Sequence, residues 1–115
     1  MKSKELTGAV VLLVMLLAAS IAFSAPPAGD SNAGKEVFLR KCKTCHGEDG
    51  QGNQGMAKLL NTTIAPLSSD EVQNKSDAEI KTIITEGKGK MKPVKDLSDS
   101  DISNVIAYVR MFKKK

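Results

Sequence analysis

The chain has 115 residues, room for one small domain, and a net charge of +4. It has no Trp, one Tyr and three Phe, and no stretch interleaves basic and aromatic residues, which argues against a nucleic-acid binder. Its two Cys and single His are too few for a closed structural zinc cage.

Lys2 and Lys4 precede an unbroken apolar run over residues 9–19, and residues 20–25 are small and mixed. This is the order of a secretory signal. Even extended to Phe23, the run is shorter than the roughly 20 residues of a membrane span. Residues 1–24 are therefore expected to be a signal peptide, cut after Ser24 or, as the close alternative, after Ala22; the competing reading is an uncleaved anchor facing the periplasm. Cleavage would remove Lys2, Lys4 and Glu5, lower the net charge by one, and leave about 90 residues. Domains that small often need a staple.

Residues 25–30 read as a linker and 31–115 as the domain. Asp30 or Ser31 caps a predicted helix running to about Lys41, with Val37 and Phe38 inward and Gly34 and Lys41 one turn to either side. A glycine inside a helix costs about 1 kcal/mol against alanine, so Gly34 predicts a close contact with another helix.

Cys42-Lys43-Thr44-Cys45-His46 follows, the C-x-x-C-H spacing of c-type haem attachment. Each thiol can add to one vinyl group of the same porphyrin, and the adjacent imidazole can bind its iron. A catalytic zinc with three near-contiguous ligands is a poor alternative. A thioredoxin-like dithiol needs a βαβ context, whereas the flanks read as helix. A disulfide within the pair closes too small a loop to stabilise much.

Residues 47–55 read as a glycine-rich polar loop. Its G-x-G-x-x-G lacks the preceding strand of a nucleotide site, so the glycines are expected to carry a tight loop past the haem edge. Pro66 interrupts the next stretch. The formal sequon at Asn61 is read as chance. Ser76-Asp77-Ala78-Glu79 is a capping box opening a helix with Ile80, Ile83 and Ile84 on one face, stopped by Gly87. Residues 88–96 form a basic loop holding Met91 and Pro93. Ser98-Asp99-Ser100-Asp101 resembles a second capping box. Ile102, Val105, Ile106 and Val109 then recur at i, i+3, i+4 and i+7, the stripe of an amphipathic helix. Lys113, Lys114 and Lys115 suit its C-terminus, where cations complement the dipole. No strand is predicted.

His46 is the only histidine, which excludes bis-His ligation within one chain. The sixth ligand is expected to be a thioether from Met56, Met91 or Met111. Met91 is preferred, because it sits in a loop between two helices and its neighbours Lys90 and Lys92 argue against burial for packing alone. Lys41, Lys43, Lys88, Lys90, Lys92 and Lys95 bracket these residues and could ring an exposed haem edge that steers acidic partners.

Gly34 and Phe38 before Cys42–His46 and Gly47, then Gly87-Lys88-Gly89-Lys90-Met91, then Leu97-Ser98-Asp99 leading into a helix with Tyr108, resemble the class I c-type cytochromes, especially small bacterial monohaem ones. The resemblance implies an all-α fold of three to four helices around one covalently bound haem c, with Cys42 and Cys45 as thioether anchors and His46 and Met91 as axial ligands. It implies that the first and last helices cross near Gly34 and the Ala107–Tyr108 turn. It also implies that a loop proline carbonyl accepts the His46 ring N–H, for which Pro66 is the candidate. Pro93 falls one residue later after Met91 than the family pattern has it.

The expected function is a monomeric periplasmic electron carrier, not an enzyme, meeting redox proteins with acidic docking faces and touching a membrane only if the leader is kept. The alternative is a small-ligand sensor with a labile Met ligand. Peroxidase catalysis is a weaker third, because it needs an open iron site.

Overall fold

The computed structural model describes residues 29–114; the expectations for the signal peptide and most of the linker lie outside them. Among these residues six helices follow in order: α1 (Ser31–Lys41), α2 (Lys43–His46), α3 (Gln54–Leu59), α4 (Asp70–Gln73), α5 (Asp77–Glu86) and α6 (Asp99–Arg110). Three are long and three have six residues or fewer. Among the described residues the only β-type pairing is an isolated bridge between Lys88 and Met91. No helix among them is long and apolar enough to cross a membrane.

Local chemistry sets the ends of the long helices. The Asp30 carboxylate caps α1 by accepting from the Asn32 and Ala33 N–H groups. Both predicted capping boxes form: Ser76 and Glu79 at α5, Ser98 and Asp101 at α6, each serine hydroxyl and acidic side chain bonding the other's backbone N–H. Gly87 ends α5 with φ +79, a conformation that glycine adopts without a Cβ penalty. Helix α6 ends at Arg110, earlier than the terminal lysines led us to expect. The Met111 and Phe112 N–H groups turn back to the carbonyls of Tyr108 and Val109, leaving Lys113 and Lys114 beyond the helix.

The most extensive pairing of elements is α1 on α6. A Cβ on Gly34 would run into the Asn104 carbonyl and come within 3.0 Å of the Tyr108 Cβ. The predicted crossing is therefore present, with Asn104 and Tyr108 on the facing helix. The Asn104 side chain also accepts from the Asp30 N–H at 2.8 Å, so one residue of α6 fixes both the start of α1 and its closest approach. Lys41, expected inward beside Phe38, is exposed where the chain turns at Cys42, while Phe38 one turn earlier is buried.

Phe38 is 1 % exposed and stacks edge-on with Tyr108 (ring centroids 5.2 Å apart), and Phe112 closes the cluster. The main core joins Val37 and Phe38 of α1, Leu67, Ile80 and Ile84 of α5, and all four stripe residues of α6. Ile83 is only half-buried and turns towards the cleft described below.

Gly34→Ala should lower the stability of the holoprotein by about 1–3 kcal/mol in urea unfolding, because overpacking outweighs the gain in helix propensity. Ser76→Ala and Ser98→Ala should each cost about 1 kcal/mol near neutral pH. The backbone N–H groups of Ser76 and Ser98, and after them their hydroxyls, hold the Glu79 and Asp101 carboxyls below their usual range. Their contribution is therefore present above the ordinary carboxylate range and lost as pH falls through the depressed values. Glu79→Ala and Asp101→Ala should accordingly cost less in strong acid than near neutral pH when urea unfolding is compared at the two pH values.

Candidate haem site

Cys42 is both the C-cap of α1 and the N-cap of α2, so the attachment motif continues directly from the helix that anchors the core. The motif is itself a helical turn. Its carbonyls are collected by the glycine-rich loop folding back over it: Gly52 N–H donates to the His46 carbonyl (2.7 Å), Asn53 N–H to that of Cys45 (2.8 Å), and the Asn53 side chain to that of Thr44 (3.2 Å). Leu67 N–H donates in turn to the Gly50 carbonyl (2.8 Å), tying residues 60–67 to the same loop. The loop is shorter than expected. Asn53 caps α3, which takes in Gly55 and Met56.

Met91 comes from the opposite side. Lys88 and Met91 exchange backbone hydrogen bonds at 2.9 and 3.0 Å, closing a tight turn. Val94 N–H donates to the Ile84 carbonyl at 2.8 Å and returns the loop to α5. A Cβ on Gly87 would lie 2.6 Å from the Met91 carbonyl oxygen and 2.9 Å from the Pro93 ring, so only glycine lets this segment pass so closely. That contact sets the path of the loop despite the later position of Pro93.

Two adjoining cavities, of about 130 and 300 Å³, share Cys42, His46 and Met91 in their walls. The first is otherwise apolar apart from Lys75, with Phe38, Leu67, Val72, Ile80, Ile83, Ile84, Val105 and Val109 around it. The second adds Cys45, Met56, Leu60 and Val94, with Lys41, Lys90 and Lys92. The fold thus gathers all four predicted site residues in one cleft. It also brings Met56 there, while Met111 is 68 % exposed at the end of α6 and does not line either cavity. Of the six predicted lysines, Lys41, Lys90 and Lys92 reach the cleft wall.

Burial holds the His46 imidazole below its usual pKa, so it is neutral and offers a lone pair near pH 7. Its Nδ1 is buried with no hydrogen-bond partner. The expected bond to Pro66 does not form, and the Pro66 carbonyl accepts instead from Ser69 N–H (3.0 Å) in the turn opening α4. As a free thiol, Cys42 is pushed up to about 11, first by burial and then by Cys45. Two thiols, a buried neutral imidazole and apolar walls match the donors and surface of haem c, and among the described residues no cluster of metal-binding side chains suggests an alternative.

Sequence reasoning missed the wall formed by Leu67, Val72 and Lys75. Helix α4 carries only a short signal, Ser69 followed by Asp70 and Glu71, which are favourable in a first turn. Gln73 and Arg110 hold this wall: the Gln73 side chain donates to the carbonyls of Leu67 (2.8 Å) and Val109 (3.0 Å), and Arg110 donates to those of Gln73 (3.0 Å) and Lys75 (2.6 Å) while pairing with Asp77 (2.7 Å).

The holoprotein should keep its haem through denaturation, with haem stain following the chain on a denaturing gel. Cys42→Ala/Cys45→Ala should lose that stain, because no thioether then holds the group.

Residues 29–109 match the family model described as cytochrome C oxidase, cbb3-type, subunit III. Cytochrome c-554(547) of Halothiobacillus neapolitanus is 34 % identical over 92 residues, 75 % of this chain and 100 % of that protein. Cytochrome c-555 of Methylococcus capsulatus is 30 % identical over 93 residues, 80 % of this chain and 68 % of that one. The solved structure of the KustC0563 c-type cytochrome superposes with a TM-score of 0.61 at 33 % identity, over 70 % of this chain and 98 % of that one. With the attachment motif, the apolar cleft and the all-α architecture in agreement, the chain belongs to the c-type cytochromes of the cbb3 subunit III family, electron-transport proteins with covalently bound haem c.

Proposed function

We propose that the chain is a soluble periplasmic one-electron carrier in which Cys42 and Cys45 anchor the haem and His46 and Met91 are the axial ligands of its iron. The observation that carries this reading is that His46 and Met91 line both cavities of the cleft and are supplied by separate, independently braced segments. When bound, the haem supplies the redox chemistry, its iron cycling between ferrous and ferric. His46 offers a neutral nitrogen and Met91 a soft thioether, a pair that raises the potential relative to harder ligands. With both axial positions taken by protein side chains, no substrate reaches the iron, which is the behaviour of a carrier and not of an enzyme.

Redox proteins are the partners. Lys41, Lys90 and Lys92 are exposed at the cleft that holds both cysteines, beside Leu60 and Met56. A cationic rim around a small apolar opening favours partners with acidic docking faces and speeds their encounter at low salt. Replacing Lys90 and Lys92 together by Gln should slow electron transfer to an acidic partner several-fold and flatten its dependence on ionic strength, measured by stopped-flow at increasing salt.

Met56 lines only the second cavity and sits on α3, which makes it the competing ligand. In the ferric holoprotein, Met91→Ala should abolish the Met–iron charge-transfer band and open the iron to carbon monoxide once reduced, while Met56→Ala and Met111→Ala should keep the band. A band that survives Met91→Ala and disappears in Met56→Ala would transfer the ligand role to Met56. Avid carbon monoxide binding by the unsubstituted ferrous protein would instead favour the sensor reading.

A further inference from the structure

Among the residues lining the first cavity, Lys75 is the only Lys, Arg, Asp or Glu. It is half-buried, and it makes no ion pair among the described residues. Its nearest acidic neighbour in sequence, Asp77, pairs with Arg110 at 2.7 Å, and Glu79 is engaged in the capping box, where its carboxylate accepts from Ser76 N–H at 2.7 Å. The backbone of Lys75 is not free to drift. Its N–H donates to the Val72 carbonyl at 3.1 Å, and its own carbonyl accepts from Arg110 at 2.6 Å. A flexible cation at the end of an apolar stem is thus held at the wall of an apolar cleft.

Haem chemistry gives that position a meaning. The vinyl groups that become thioethers and the two propionates lie on opposite edges of the porphyrin. Lys41, Lys90 and Lys92 line the cavity that contains both cysteines and so belong with the thioether edge. Lys75 lines the cavity that contains Cys42 without Cys45. A carboxylate lying against apolar walls needs a cation or a donor.

We propose that Lys75 is the cationic partner of a haem propionate and, through it, a residue that sets the balance between ferrous and ferric protein. The proposal rests on haem c occupying this cleft. A positive charge there favours the less positive, ferrous state. Arg110 is then a positioning residue, since it holds the backbone from which Lys75 extends.

The test uses holoprotein of Lys75→Met, Lys75→Arg and, as a control for net charge, Lys35→Met on the exposed face of α1. At a fixed ambient potential and pH, Lys75→Met should lower the ferrous-to-ferric ratio by roughly three- to tenfold. Lys75→Arg and Lys35→Met should stay within about twofold of the unsubstituted protein. The propionate bending modes in resonance Raman should shift in Lys75→Met and return in Lys75→Arg. If Lys75→Met does not yield holoprotein, Lys75→Gln is measured in the same way. A Lys75→Met protein with the ratio of the Lys35→Met control and unshifted propionate modes would overturn the proposal. A pyridine haemochrome spectrum of the unsubstituted protein checks the underlying reading separately, because absence of the haem c signature would remove the cofactor and not merely the role of Lys75.

Discussion

The site depends first on the contact between α1 and α6 at Gly34. A glycine in the middle of a helix weakens that helix by about 1 kcal/mol, and here the missing side chain lets the α6 backbone approach at Asn104. That approach fixes two things at once. It places α1, and with it the attachment motif that starts at Cys42, against α6. It also places α6, whose Val109 and Arg110 hold residues 73–77, against α1. The two walls of the cleft are therefore referred to a single crossing point.

From that frame the site is built by backbone hydrogen bonds more than by side-chain packing. The glycine-rich loop takes up the carbonyls of Thr44, Cys45 and His46, and the turn at Lys88 and Met91 closes on itself. Such bonds hold irregular segments in place without needing a large core. The core is indeed narrow: Phe38 and Val105 are its largest fully buried side chains. Ile80, Ile83 and Ile84 of α5 and Val105 and Val109 of α6 face the cleft, where a flat apolar cofactor would cover them. A small domain with few aromatics and a covalent haem is consistent on these grounds, because the cofactor serves as both redox centre and packing element.

What the sequence made legible was local. Capping boxes, the stripe of α6 and the stop at Gly87 each depend on residues within a few positions of one another, and all appear as expected. Gly34 was legible for a different reason, since its cost only makes sense beside a close neighbour. Helix α3 was hidden because Gly55 lies inside it and its start signal is Asn53 alone. The clamp of Gln73 and Arg110 joins residues more than 30 positions apart through backbone carbonyls, which no side-chain pattern announces. Lys75 was overlooked with it. Pro66 was assigned from the resemblance, and the turn opening α4 engages its carbonyl elsewhere. The attachment motif was the most legible part, while the opposing wall required the fold.

The central claim is that Cys42, Cys45, His46 and Met91 enclose one haem between two separately braced segments. Proton–carbon NMR of the ferrous holoprotein, with methionine methyls labelled, tests it most directly, because a methyl lying over the porphyrin is moved far upfield by the ring current. The account predicts one strongly upfield methyl that disappears in Met91→Leu, with the Met56 and Met111 methyls near their ordinary positions. An upfield methyl that persists in Met91→Leu, or no upfield methyl at all, would contradict it.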